Sequence, residues 1–423
     1  MLASMSRTLP IFIVLSLFIA RPLIAQEPCL HVALHKVAGQ VQAVQARLMK
    51  VKADGFGSDG VSPRTRADIH ALKTGIDSVV DGAMTCESEL QGDDTHFTKR
   101  LQGRLENLLK IKEQKPRKTL DYDKVPKEVD GVYASDLEVK VKTLSNAPFI
   151  VAVQVSFDVD CGEDNILAIY ERKNGEWQRS LLWQSGDYDE ISGAFGDFLE
   201  YRLIPNGGPN GWALAVAHGH PWCSSDLSAF DVDVLGPVRG SSSPTVLFHA
   251  NEGYRRFDPQ PEMRQTPDGF ALRLDINTIE TGVLFRLAIY RYRVQGGTVE
   301  RVQPIANNGR DFVDGWLQSP WVDAAKWSSQ DSIASLQMEH KRFADSRKPD
   351  DSPMLSYGPV TRCSDSKAHF QMELVAERWD GKAAHPLPST YFQIQQGANS
   401  FTMLSASETP DPHCGGGDLM ASH

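Results

Sequence analysis

His218 and His220 stand two residues apart at the end of an apolar stretch, with Cys223 and Asp226 just beyond and His249 further along the chain. Residues two apart on a strand point to the same face, so two imidazoles in this spacing can share one zinc ion, with Asp226 or His249 completing an open site. The same residues also suit a turn edge, where imidazoles act as hydrogen-bonding groups, and Cys223 in an oxidising compartment is better used in a bridge. Two acidic groupings offer different chemistry: Asp158, Asp160, Glu163 and Asp164 surround Cys161, and Asp187, Asp189 and Glu190 form a second patch. Carboxylate oxygens gathered in a loop suit calcium, although neither patch has the alternating ligand ladder with its central Gly and closing bidentate Glu. They could also act as an acid and base pair in glycoside cleavage, a mechanism decided by their separation in space. Of the eight tryptophans, Trp222 sits beside His220 and Cys223 and is the one placed to stack a ligand from a loop, while most of the others are expected in the core. No cofactor is expected, with zinc or calcium at these groups as the alternative. The nucleophile elbow, phosphate loop, dinucleotide fingerprint and His-Glu-x-x-His helix are all missing, which excludes those signatures and not enzymes in general.

The cysteines and the amino terminus suggest where such chemistry takes place. Arg7 is followed by an apolar run over residues 9–20 and by Leu23-Ile24-Ala25, the three parts of a secretory signal, so cleavage after Ala25 is expected. The run is short for a membrane span, which needs about 20 residues. Removing residues 1–25 takes away two arginines and no acid, moving the formal charge from −10 to −12. An acidic chain without a cluster of Lys and Arg argues against a nucleic-acid partner. Six cysteines remain, two in each third of the chain, so three local bridges are expected: Cys29–Cys86, Cys161–Cys223 and Cys363–Cys414. Each would close a loop of roughly 50–60 residues and add about 4 kcal/mol.

The elements that must hold these groups change character along the chain. Leu30, Leu34, Val37, Val41, Val44, Leu48 and Val51 step by four and three, a single apolar stripe on a helix. The stepping resumes at Ile69, Leu72, Ile76, Val79, Ala83, Cys86 and Leu90 after the Gly-rich turn around residues 54–60. Two such helices fold back antiparallel and bring Cys29 to Cys86, and a third, with Phe97, Leu101, Leu105, Leu108 and Ile111, packs on the pair. Residues 26–112 are therefore expected to form a helical bundle that buries its own seam, and 113–130, charged and Pro-bearing, a linker.

Beyond the linker the period switches to two. Strands are expected at 137–142, 149–155, 166–171, 177–183, 198–204, 212–217, 230–235, 246–249, 270–276, 284–294 and 299–302, with Asn174-Gly175 as a tight hairpin turn. Leu167-Ala168-Ile169-Tyr170 recurs 120 residues later as Leu287-Ala288-Ile289-Tyr290, with Arg179 and Arg301 on the returning strands. That offset fits about three blades of a propeller repeat. Helices are expected within 310–327, broken at Pro320, and over 329–343. Residues 344–356 read as a second linker, and 357–423 as a small β module with strands at 370–375, 391–395 and 401–404 between Cys363 and Cys414.

The chain thus reads as an α+β multidomain protein: residues 26–112 a helical bundle, 131–343 an antiparallel β domain, propeller-like or sandwich, ending in a helical segment, and 357–423 a bridged β module. The expected role is a non-catalytic binding or assembly protein, secreted or periplasmic, meeting an envelope or extracellular ligand with no transmembrane helix after signal cleavage. The alternative is an exported hydrolase, metal-assisted through His218 and His220 or carboxylate-based through Asp187, Asp189 and Glu190.

Overall fold

The computed structural model describes residues 32–51, 61–89, 96–111, 133–159, 162–186, 199–219, 227–255, 261–281, 285–303, 306, 308–346, 353–398 and 400–420. Six α-helices and 17 strands lie among them, three helices first and mostly β structure after.

Helices α1 (Val32–Leu48), α2 (Pro63–Glu89) and α3 (Phe97–Leu109) follow the apolar stripes. Pro63 opens α2 at the position where a missing N–H costs nothing, and Ser62 Oγ accepts the Thr65 N–H at 3.2 Å. Leu34, Ala38, Val41 and Leu48 meet Ile69, Leu72, Ile76, Val79 and Ala83 in one core. Gly75 and Gly82 allow the close approach: a Cβ on either would sit 2.7 Å from Val41 Cγ2 or Leu34 Cδ1. The buried Glu87 carboxylate binds Arg100 at 2.9 Å and Arg104 at 3.3 Å, joining α2 to α3. The seam is not closed by the three helices alone. Val139, Val141, Val153, Val155, Phe157 and Tyr170 of the first sheet belong to the same core, because a stripe this long exposes more apolar area than a short third helix can cover.

Four antiparallel sheets follow in chain order. The first holds β1 (Glu138–Asn146), β2 (Phe149–Val159), β3 (Gly162–Lys173) and β4 (Glu176–Gln184). The second holds β5 (Leu199–Pro205), β6 (Trp212–Gly219), β7 (Leu227–Val238) and β8 (Ser241–Arg255), and the third β9 (Glu262–Thr266), β10 (Gly269–Asn277), β11 (Phe285–Gln295) and β12 (Thr298–Val302). Each strand pairs with its neighbour in sequence. Asn174 and Gly175 have φ of 53° and 88°, the turn expected from that dipeptide. The two copies of Leu-Ala-Ile-Tyr are each the third strand of their sheet, β3 and β11. Their offset therefore spans two four-stranded units rather than three blades of 40–45 residues, since successive sheets begin at Glu138, Leu199 and Glu262, about 60 residues apart.

Ile150, Ala152, Leu167, Ile169 and Leu181 of the first sheet pack on Tyr201, Leu203, Leu214, Val216 and Leu235 of the second. The opposite face of the second sheet, with Ala213, Ala215, Ala217, Val232 and Val234, packs on Phe270, Leu272, Leu274 and Tyr292 of the third. Helices α4 (Gly309–Gln318), α5 (Trp321–Ala324) and α6 (Ile333–Ser346) then precede the last sheet: β13 (Met354–Cys363), β14 (His369–Trp379), β15 (Ala384–Gln396), β16 (Phe401–Ser407) and β17 (Cys414–Gly415), ordered β16-β15-β14-β13-β17. Phe312, Val313, Trp316, Leu317 and Leu336 share a core with Leu355, Met372, Leu374, Phe392, Ile394 and Met403, so one core joins residues on both sides of 344–356.

Cys363 and Cys414 form a disulfide across 51 residues. Cys86 is disulfide-bonded as well, while Cys29, Cys161 and Cys223 lie outside the described residues, as do residues 1–25. No helix among the described residues is long and apolar enough to cross a membrane.

Candidate functional site

Of the residues singled out for chemistry, His218 is described; His220, Trp222 and Asp226 on one segment, and Asp187, Asp189 and Glu190 on another, lie outside the described residues. His218 occupies the end of β6 and is paired in register with Asp231 of β7; Asp231 pairs with Asn251 of β8, and Asp233 with His249. Directly opposed residues share a face, and so do residues two apart, so His218, Asp231, Asp233, His249 and Asn251 all lie on one side of the second sheet. That side also carries Leu214 and Val216, which pack on the first sheet. The polar cluster is therefore the rim of a buried apolar seam between two sheets.

Its geometry runs from inside to outside. The His218 ring lies against Trp183 of β4, with centroids 4.8 Å apart. Its Nε2 stands 3.8 Å from Asp231 Oδ2 and 3.7 Å from Asp233 Oδ2, and its side chain is 12% exposed. On the outer side His249, 56% exposed, donates from Nδ1 to Asp233 Oδ1 at 2.9 Å, with Nε2 3.9 Å from Asp231 Oδ1. Asn251 Nδ2 donates to Asp231 Oδ1 at 3.0 Å. The hydrogen bond to Asp233 holds the His249 imidazolium above its usual range; partial burial opposes this, and the charges of Asp233 and Asp231 add to it. Two atoms bound to one zinc at about 2.0–2.2 Å lie within about 4 Å of each other. His218 meets that limit toward the Oδ2 atoms and His249 toward the Oδ1 atoms, so the two imidazoles address different oxygens of the same carboxylates, and one centre for all four requires the side chains to turn. Nitrogen and oxygen donors together suit zinc and its neighbours in the first transition row better than calcium.

The surrounding elements are fixed by buried polar contacts. Lys73 of α2 reaches Asp164 Oδ1 at 3.0 Å and donates to the Ser185 carbonyl at 2.7 Å, with both side chains almost wholly buried. Ser185 Oγ also accepts the Asn165 N–H at 3.0 Å. The ends of β3 and β4, and with them Trp183, are thus anchored to the helical layer.

The acidic grouping around Cys161 is divided by the strands that carry it. Asp158 opposes Glu163 while Asp164 opposes Phe157, so Asp158 and Asp164 project from opposite faces of the hairpin. Ser135 Oγ donates to Asp158 at 3.2 Å, and Asp164 is engaged by Lys73. Asp160 lies outside the described residues. Among the tryptophans, Trp212, Trp316 and Trp327 are buried, whereas Trp379 is 55% exposed at the end of β14.

A cleft of about 720 Å³ opens at the opposite end of the seam, between the β3–β4 turn and the β7–β8 turn, lined by Lys173, Gln178, Arg179, Asn210, Trp212 and Arg239. Two of its three cations are paired: Arg179 with Asp77 and with Asp81 at 3.1 Å, and Lys173 with Glu171 at 2.7 Å. The cleft and the His218 cluster therefore sit at different ends of the same interface. Asp231 and Asp233 carry no local signal in the sequence, because the alternation Phe230-Asp231-Val232-Asp233-Val234 marks a strand with one polar face without saying which imidazoles that face meets. Comparison of this chain with protein-family models, with curated proteins and with solved structures finds no match.

Proposed function

We propose that the chain is an exported, non-catalytic binding protein of the cell envelope or extracellular space, and that it engages its ligand through a divalent transition-metal ion, which His218, Asp231, Asp233 and His249 would hold once their side chains turn to share one centre. The observation that carries this reading is the convergence of two imidazoles and two carboxylates from three adjacent strands at the rim of the seam. His249 and Asn251 hydrogen-bond the two carboxylates, and a divalent ion bound there would neutralise both. Export is supported by the signal-like residues 1–25 and by the bridge between Cys363 and Cys414. A propeller-like arrangement is supported by successive four-stranded meanders whose faces share cores.

Titration of the purified protein with zinc, followed by calorimetry and by metal analysis after dialysis, tests the site. One ion per chain is expected, with His218→Ala and Asp233→Asn each weakening binding at least tenfold. Binding at less than stoichiometric levels, or unaffected by both substitutions, refutes the reading. The exposure of His249 favours a second reading: an ion there keeps a solvent-side position open, as catalytic zinc does, which is the hydrolase alternative. Zinc-dependent turnover of peptide or ester substrates, lost in His218→Ala, would select it.

A further inference from the structure

We infer that the disulfide of the last sheet is a concealed metal site: when Cys363 and Cys414 are reduced, their thiolates and Nε2 of His369 bind a thiophilic ion such as zinc. The sulfur atoms and an imidazole nitrogen of His369 lie within 4.8 Å of one another. His369 is 93% buried, and its Nε2 has no hydrogen-bond partner among the described residues, an uncommon state for a buried imidazole. Its Nδ1 lies 2.8 Å and 2.9 Å from the two carboxylate oxygens of Asp365. A neutral imidazole that donates through Nδ1 presents its lone pair at Nε2, and a carboxylate behind the ring is the usual support of a zinc-bound histidine.

The site does not depend on the sulfur–sulfur bond for its assembly. On one flank of Cys414, the Asp411 N–H donates to Gln371 Oε1 at 2.7 Å, Gln393 donates to Asp411 at 2.9 Å, and the Ser364 N–H donates to the His413 carbonyl at 2.8 Å. On the other flank the Leu419 N–H donates to the Val360 carbonyl at 2.9 Å, and Asp418 pairs with Arg310 at 3.1 Å. Both ends of the segment stay fixed to β13, β14 and β15 after reduction, so the thiols remain opposed. Cys363 is buried and Cys414 half-buried, which leaves one sulfur accessible to a reductant.

The steps balance. A dithiol reductant gives two electrons and two protons to the bridge, yielding two thiols and its own disulfide; zinc then displaces the two thiol protons and is held by two thiolates and His369, with water in the fourth position. Oxidation by a disulfide-bearing partner expels the ion and restores the bridge. Two sulfurs and one nitrogen make this site softer than the His and carboxylate cluster of the second sheet, so the two would select different ions.

The test uses the full chain, reduced under anaerobic conditions and titrated with cobalt(II) as a spectroscopic substitute for zinc. Thiolate-to-cobalt charge-transfer and tetrahedral ligand-field bands saturating at one ion are expected from reduced protein and not from oxidised protein. The double variant Cys363→Ser and Cys414→Ser should lose these bands, His369→Ala should shift and weaken them, and Asp365→Asn should lower affinity about 10- to 100-fold. Bands that survive in the double variant, arising from the other four cysteines, overturn the inference, as does their absence from reduced wild-type protein. X-ray absorption of the reduced, zinc-loaded wild type needs no variant: two sulfurs with an imidazole nitrogen support the assignment, and a sphere without imidazole overturns it.

Discussion

Asp314 is the contact on which attachment of the last sheet to the third should depend. Its carboxylate, on α4, is fully buried, and each oxygen accepts two hydrogen bonds. Oδ1 takes the Ile279 N–H at 2.9 Å and the Tyr357 hydroxyl at 2.7 Å; Oδ2 takes Arg286 Nε at 2.6 Å and Gln318 Nε2 at 2.9 Å. Arg286, on β11, is only 12% exposed and its Nη2 has no hydrogen-bond partner among the described residues, so Asp314 is its main compensation. Asp314→Ala strands a nearly buried cation, which costs about 3–5 kcal/mol, and leaves neutral donors that each add about 1–3 kcal/mol where water cannot reach them. These penalties overlap, and a net loss of about 3–5 kcal/mol is expected for the C-terminal part of the chain. Urea unfolding followed by tryptophan fluorescence measures it, because Trp316 lies on the same helix and Trp327 in the same core. Adding Arg286→Met to Asp314→Ala should recover part of the loss, giving a coupling energy of about 1–3 kcal/mol. A single-variant loss below about 1 kcal/mol, or independent effects of the two substitutions, would refute the reasoning.

Burial holds the His340 imidazole below its ordinary 6.5, against two carbonyl contacts, Ser319 O at 3.0 Å and Trp316 O at 3.2 Å, that oppose the shift. The folded chain therefore takes up this proton less readily than the unfolded one: the contribution of His340 is complete above pH 6.5 and is lost as pH falls through the depressed folded value, a slope that His340→Phe should remove from pH-dependent unfolding curves. His249 behaves oppositely, its contribution being complete below 6.5 and lost as pH rises through the raised folded value; Asp233→Asn should return the imidazole toward 6.5 in an NMR titration. Gly82→Ala places a methyl 2.7 Å from Leu34 Cδ1 and should cost about 1–3 kcal/mol in thermal unfolding, whereas Gly103→Ala, which meets nothing within 4 Å, should stabilise α3 slightly.

The elements were legible where one periodicity ran unbroken. The stepping of Leu34, Val41 and Leu48, and of Ile69, Ile76 and Ala83, marks α1 and α2, and the alternation from Leu137 marks β1. Strand β9 was not legible, because an edge strand that buries only Met263 outright carries no apolar alternation, nor was β13, whose register shifts between Tyr357 and Val360 where Gly358 and Pro359 fall. Of the candidate site, His218 could be named from its spacing to His220, and His249 as a more distant completion. Asp231 and Asp233 could not, and neither could His369 beside the cysteines, because nothing local distinguishes them from ordinary polar strand residues.

Residue order alone determined the switch from helical to strand period and the tight turn at Asn174 and Gly175, because each follows from chemistry acting over short range or from one repeated spacing. Tertiary structure alone decided that the helical stripes close on a sheet and that one core spans residues on both sides of 344–356. It also decided that two imidazoles meet two carboxylates at the end of a seam. Strand register sets which side chains oppose each other, and it is selected by the burial of the whole face, a sum over distant residues that no single stretch of sequence contains.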